Sequence, residues 1–366
     1  METKIKLRDC NLFRLLCFVI IPLIVLIYCG MRPKSYYTGI VIMIGIYIIL
    51  CASLNLVNGF SGMFSMGHAA FMAIGAYMAA FFTLAPQVKE NQCPGLPDWL
   101  INTQIPLPPA LLIGGIAAAL VAVLIGFPVV RTKGHYLSVV TLALIVIVRA
   151  VIDNQGDITH GSRGLTGLPN RSTVALVYIV AVITLFVLYR ITHSDYGRGL
   201  VAMRDDPVAA QTLGINLVRK KISCFAISAF FAGVGGGLWG HFVTTISGSN
   251  FYFSKSFDIV EMSVIGGMFS LSGSIPGAMF FSVVPEFLAP LENGLRIAGI
   301  QLPMMFGLSN IIMAILLILL IIFRRQGIMG NSEIILDSWF SKDTYLALFR
   351  KEEYQRLAAA FRRKSS

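Results

Sequence analysis

Charge is what this sequence has least of. Asp, Glu, Lys and Arg make up 13% of its 366 residues, against about 25% in soluble globular domains. With 56% of the residues hydrophobic, a water-soluble chain is excluded, because no single core hides that much apolar surface. Cysteine is sparse and scattered: Cys10, Cys17, Cys29, Cys51, Cys93 and Cys224 lie mostly in or beside apolar runs. That excludes a disulfide framework and a metal site with ligand spacing. No GxxxxGK[ST] loop occurs, nor HExxH, nor GxSxG, so the residues that cradle nucleotide phosphates, hold a hydrolytic zinc or form a nucleophile elbow are missing. Energy for any work has to come from another chain or from an ion gradient.

What is present is a succession of apolar runs. About 20 apolar residues cross a bilayer, and such runs fall near 15–30, 38–57, 61–84, 108–130 and 136–152, then near 173–190, 222–243, 258–272, 275–290 and 303–323. The fold class is therefore all-α, a polytopic membrane protein with about ten transmembrane helices. The runs 258–272 and 275–290 are short and interrupted by glycine, as in broken or re-entrant helices. Residues 15–30 follow a basic start but precede Met31-Arg32-Pro33 rather than a small-residue cleavage site, which favours an uncleaved first span over a signal peptide. Residues 1–325 form one transmembrane domain. Residues 326–366 form a basic, amphipathic tail ending in Arg362-Arg363-Lys364, suited to the inner leaflet.

Ten spans with a cytoplasmic N-terminus return the C-terminus to the same side. The cytoplasmic segments then hold 21 of the 29 Lys and Arg residues, as the positive-inside rule requires. The net charge of +11 thus reports orientation and anionic lipid and excludes nucleic acid as the partner.

The most polar interruption, RGLVAMRDDPVAAQTLGIN at 198–216, has the signals of one short solvated helix: Asp206 as N-cap, Pro207 at the first helical position and Gly214 as the left-handed stop. Val208, Ala209, Ala210 and Leu213 make a face small enough for a groove on another protein, with Arg204, Asp205 and Gln211 left wet. The alternative is an ordinary solvated loop.

Two stretches fit a solute pathway. In 59–80 the residues Gly59, Gly62, Gly67, Ala69, Ala70, Gly75 and Ala79 leave little bulk on one side, with Ser65 and His68 among them, and GMFS at 62–65 recurs at 267–270, where it follows Gly266 and includes Gly267 and Ser270. A repeated string opening a span in each half suggests two related halves around a central path, with Thr141 on the 136–152 span beside it. Chance and ordinary helix packing are the alternative. Titratable groups inside a membrane cost about 2.5 to 3.5 kcal/mol at a helix centre, so each calls for a reason. His68 is the deep one, as a pathway residue or a neutral structural one. Arg149, Glu261 and Glu286 share one depth near the outer ends of their spans and form outer-mouth ion pairs or snorkel to the interface.

Further matching strings are RTKGHYLSVVTLALIVIVR at 131–149, THGSRGLTGLP at 159–169, ISAFFAGVGGGLWG at 227–240 and VIGGMFSLSGSIPGA at 264–278. With 61–77 and 197–216, the chain from 36 to 324 resembles the permease subunits of branched-chain amino acid ABC importers, whose wider family also serves urea, short amides and some sugars. The resemblance implies that Arg204, Asp205, Asp206, Pro207, Ala209, Ala210 and Gly214 belong to a cytoplasmic helix that docks on an ATPase. It also implies a second permease subunit, two ATPase subunits and an extracytoplasmic binding protein. This chain then holds no cofactor, since ATP and Mg sit on the ATPase, and it lies in the plasma (inner) membrane. The tail is longer and more basic than the family core, and no motif carries over for solute selection. The rival classes are an ion-coupled secondary amino acid transporter, which wants acids at mid-membrane, and an intramembrane enzyme, for which no carboxylate is expected at the depth of His68.

Overall fold

A computed structural model describes residues 36–129, 136–292, 296–297, 300–301, 307–330 and 332–333. Among them the chain is mostly helical, because apolar segments in a bilayer must satisfy every backbone amide and carbonyl internally. The long helices are α1 (Tyr36–Asn55, prolonged as a π-helical turn through Leu56–Phe60), α2 (His68–Thr83), α5 (Leu107–Val129), α6 (Tyr136–Asn154) and α8 (Val174–Thr192). They continue with α11 (Leu217–Val243), α12 (Phe253–Gly266), α13 (Ser274–Glu292) and α14 (Leu308–Phe323). Short helices stand between them: α3 (Pro86–Gln92), α4 (Asp98–Asn102), α7 (Gly156–Thr159), α9 (Asp195–Asp205) and α10 (Pro207–Thr212).

Five of these helices are long and apolar enough to cross a membrane, and three shorter ones are apolar. Their outward faces suit lipid. On α14 the residues Ile311, Ile315, Ile318 and Ile322 are exposed in one stripe, and on α5 Leu112, Ile116, Leu120 and Leu124 do the same. The expected span 15–30 lies outside the described residues, as does the tail from 334 onward.

Three expected spans have different ends. The run 61–84 is helical only from His68, leaving 61–67 non-helical. The helix expected at 222–243 begins five residues earlier, at Leu217, where Asn216 accepts a hydrogen bond from the Arg219 amide at 3.0 Å. The helix expected at 258–272 runs instead from Phe253 to Gly266, and 267–273 form the turn into α13.

The centre of the bundle is α2, α5 and α11, held together by backbone contact at glycines. A Cβ on Gly75 would lie 2.1 Å from the Gly233 carbonyl oxygen, one on Gly236 2.0 Å from that of Met72, and one on Gly114 2.7 Å from that of Gly75. Small residues let membrane helices approach to this distance, where dispersion and close packing replace the missing hydrophobic drive. Around this centre α1 packs on α8, α11 and α13, and α12 packs on α1 and α13.

The two ends of the bundle differ. At one end lie α3, α4, α7 and a two-stranded pairing of β1 (Leu165–Thr166) with β2 (Thr245–Ile246), in register Leu165 to Ile246. There Lys89 is fully buried, and its ammonium donates to the carbonyls of Leu100 (2.9 Å), Ile101 (3.5 Å) and Thr103. The last carbonyls of α4 have no partner in their own helix, and the lysine supplies one. Burial nevertheless pushes the Lys89 ammonium down from its usual range, opposed by the neighbouring Cys93.

The C-cap of α11, Thr244, stands at φ 64°, a left-handed conformation costing a β-branched residue about 1 to 3 kcal/mol. Thr244→Gly is expected to raise the melting temperature of the purified protein by a few degrees, because relief of strain exceeds the loss of about 1 kcal/mol to glycine's chain entropy. A melting temperature that falls means the threonine is anchored by something other than its backbone.

Candidate functional site

The 195–216 connection is two helices with a corner, where the sequence suggested one helix. Ser194 caps α9 through the Gly197 amide at 3.4 Å, and α9 ends at Asp206, whose backbone is extended (φ −148°, ψ 103°). The Asp206 carboxylate then accepts the amides of Val208 (2.8 Å) and Ala209 (3.0 Å), with Pro207 opening α10. Gly214, at φ 80° with nothing within 4 Å, reverses the chain. The Lys220 ammonium donates to the Tyr196 carbonyl at 3.0 Å and lies over the Tyr196 ring, pinning α9 to α11.

Side-chain directions differ from the sequence reading at two positions. Ala210 is 1% exposed and packs into the protein's own core, so it is not part of a free face. The surface that α10 offers is Val208 (70% exposed) and Leu213 (78% exposed), with Ala209 and Gln211 between them. Arg204, expected to be wet, points inward. Its guanidinium donates to the Gly59 carbonyl at 3.2 Å, pairs with Asp205 at 2.9 Å and lies 5.1 Å from the Phe269 ring centre.

Arg204 thereby touches both copies of the repeated string. A Cβ on Gly62, at φ 69°, would lie 2.6 Å from its Cγ, and Phe269 sits under its guanidinium. The stretches that carry the string also meet directly: a Cβ on Gly59 would overlap the Met268 carbonyl oxygen at 1.8 Å. A cavity of about 620 Å³ opens here, lined by Asn58, Phe60, Gly62, Arg204, Phe269 and Gln326 among others.

From this cavity residues 61–67 run as non-helical chain between α1 and α2, and side chains satisfy their backbone. Asn58 holds Ser65 from both sides, accepting its amide at 2.9 Å and donating to its carbonyl at 3.2 Å. The Met66 amide donates to the Thr141 hydroxyl at 3.1 Å, the Met66 carbonyl accepts from Ser256, and the Phe64 carbonyl accepts from Ser138 at 2.7 Å. Gly67 is required by the approach of Thr141, whose Cβ would be 2.8 Å from a Cβ at that position. Non-helical backbone at membrane depth is tolerated only where protein buries it or where it lines a water-filled path. In the second half Asn55 donates to the Ser270 carbonyl at 2.9 Å and accepts from Ser263.

Two candidates are tightly packed inside the bundle. Gly75 is consumed by its contact with Gly233. His68 is 1% exposed, with Nε2 3.1 Å from the Ser228 hydroxyl, which itself donates to the Ser53 carbonyl. With that proton committed, the imidazole donates through Nε2–H, and Nδ1 carries a lone pair without a partner among the described residues. Gly266 and Gly267 shape the α12–α13 turn. A Cβ on Gly266 would lie 1.9 Å from the Gly273 carbonyl oxygen, and Gly267 stands at φ 116°.

The three outer charges form no ion pair with one another among the described residues. Arg149 pairs with Asp153 at 3.3 Å and lies 4.5 Å from the Tyr252 ring centre, while Glu286 accepts from the Tyr36 hydroxyl. Because α12 starts at Phe253, Glu261 sits eight residues inside it, about 12 Å along the axis at 1.5 Å per residue. It has no ion pair among the described residues. Sequence reasoning missed Asp153 and the Lys255–Asp258 pair (3.5 Å), although their i,i+4 and i,i+3 spacings were a readable signal. It also missed Glu333 from the assigned tail. This carboxylate accepts the amides of Leu271 (2.7 Å) and Ser272 (2.8 Å), and burial pushes it up while those two hydrogen bonds pull it down.

Comparison with known proteins places this arrangement. Residues 36–323 match the family model described as branched-chain amino acid transport system / permease component. The chain is similar to the high-affinity branched-chain amino acid transport system permease protein LivM of Salmonella typhimurium, 32% identical over 318 residues covering 78% of this chain and 68% of the relative. It is 25% identical over 311 residues to the corresponding permease protein LivH of Escherichia coli, covering 79% of this chain and 92% of that one. It is 26% identical over 167 residues to the guanosine ABC transporter permease protein NupQ of Bacillus subtilis, covering 44% and 47%. No solved structure matches the chain. A helical bundle of apolar spans, matched by one family model over 36–323 and by a relative 32% identical over most of its length, belongs to the family of branched-chain amino acid transport permeases.

Proposed function

We propose that this permease subunit of an ABC importer carries leucine, isoleucine, valine or similar amino acids inward, with α10 as the seat of its ATPase. The observation that carries the reading is the Asp206-capped α10. It presents Val208 and Leu213 to solvent and is joined through Arg204 to both repeated turns. An ATPase that closes on ATP and Mg moves α10, Arg204 transmits the shift to Gly62 and Phe269, and the bundle alternates its access.

The partners are a second, different permease subunit, two ATPase chains and an extracytoplasmic binding protein. With α10 on the cytoplasmic side, ten spans set both termini there, in a plasma (inner) membrane, and the tail lies on the inner leaflet. Gly62, Ser65, Gly67, Thr141, Gly266, Gly267 and Ser270 border the path. ATP hydrolysis falls to the ATPase chains, and membership of a transport permease family supports a membrane path as this subunit's part. A solute such as urea or a short amide fits the same machinery. Glu261, within α12 and without an ion pair among the described residues, is the observation that favours an ion-coupled transporter instead.

Selectivity is expected to reside in the binding protein. In vesicles holding both permeases and both ATPases, leucine uptake should need ATP and the binding protein. Leucine-selective uptake driven by a proton gradient alone overturns the proposal.

A further inference from the structure

We propose that residues 324–330 and 332–333 are a strap that holds the α12–α13 turn in its resting arrangement and must lift in every transport cycle. The segment satisfies both helix ends at that turn. The amides of Ile328 and Met329 donate to the carbonyls of Ile265 (2.9 Å) and Gly266 (3.0 Å), at the end of α12 where carbonyls have no helical partner. Four residues later the Glu333 carboxylate takes the Leu271 and Ser272 amides just ahead of α13, and the Ser270 hydroxyl donates to the Ser332 carbonyl at 2.9 Å.

The fit is close enough to demand glycine. A Cβ on Gly327, at φ 74°, would lie 2.6 Å from the Gly267 amide nitrogen. Gln326 borders the Arg204 cavity, so the strap lies beside the contact that links α9 and α10 to the turn. Its hold is polar. Arg324, Arg325 and Gln326 are exposed, and Ile328 and Met329 are only half-buried, which places the segment among elements that open before the core does. A strap bonded to the end of one helix and the start of the next fixes their relative arrangement. Alternating access, on which this inference rests, requires that arrangement to change.

The test uses the complete transporter in vesicles, with the six native cysteines replaced and the pair Ile265→Cys and Ile328→Cys introduced, positions whose backbones already touch. The reduced protein should transport like its parent, and this arm reports on the importer reading alone. Oxidation should cross-link the pair and lower ATP-driven uptake at least tenfold, with recovery on adding reductant. Uptake unchanged within twofold after cross-linking overturns the proposal, as does failure of the pair to cross-link at rest. Glu333→Ala and Gly327→Val loosen the strap without a disulfide and should raise solute-independent ATP hydrolysis severalfold. Parental hydrolysis in both also overturns it.

Discussion

Replacing Val208 and Leu213 together by aspartate leaves the permease in the membrane at its parental level but strips it of the ATPase and of ATP-driven uptake. Both side chains are exposed, Val208 on α10 and Leu213 at its C-cap, so neither change disturbs the core. Burying a Val or Leu side chain is worth about 1.5 to 3 kcal/mol each, and a carboxylate in the same groove adds a desolvation cost. A combined loss of about 3 to 6 kcal/mol lowers affinity by roughly 10² to 10⁴. Gln211→Lys on the same exposed surface should do much less. Ala210→Trp fails differently: at 1% exposure a tryptophan there pries α10 off the body, and the membrane level of the protein drops as well. The measurement is co-purification of the ATPase together with uptake in reconstituted vesicles. If the double aspartate variant co-purifies and transports like its parent, α10 is not the seat of the ATPase.

Gly236→Leu is expected to reduce the amount of folded protein in the membrane at least tenfold. Its Cβ would lie 2.0 Å from the Met72 carbonyl oxygen, where the obstacle is backbone and cannot rotate away. Overpacking usually costs about 1 to 3 kcal/mol because side chains give way; here α2 and α11 must part along their length, and Gly75 and Gly233 lose their contact with them. Gly156→Ala is the control, since nothing lies within 4 Å of that position and its backbone is ordinary, and it should be neutral. Detergent-solubilised protein from Gly236→Leu with a parental melting temperature would show that the three-helix centre yields more easily than its geometry implies.

Helix positions were legible where apolar length alone decides them, as in α1, α5, α6 and α8, because a bilayer enforces helix on any long uncharged run. The caps of α10 were legible for a local reason, since Asp206, Pro207 and Gly214 act on their nearest backbone neighbours. Side-chain direction was not. Whether Ala210 looks in or out depends on the corner at Asp206, and nothing within six residues of helix announces which way that corner turns. The burial of Lys89 was not legible, because lysine is rarely buried; the carbonyls that receive it come from α4 and its C-cap, eleven to fourteen residues on. Glu333 and the glycine turns it caps are joined across some sixty residues, a relation no local pattern encodes. The partners of Arg149 and Glu286, Asp153 and Tyr36, were not singled out either, because a shared position near helix ends does not say which neighbour a long side chain reaches.

The unwound stretch 61–67 has a mechanical consequence. A helix resists being lengthened or turned because its hydrogen bonds succeed or fail together, whereas this stretch hangs on separate side chains, Asn58, Ser138, Thr141 and Ser256, each belonging to a different element or a different level of one. Such a segment is compliant: it can trade one partner at a time for a water molecule, and α1 and α2 on either side stay rigid while it does so. Stiff rods joined by a soft link transmit rotation without having to bend, and the softness costs little because Asn and Ser side chains are short enough to follow the backbone they hold.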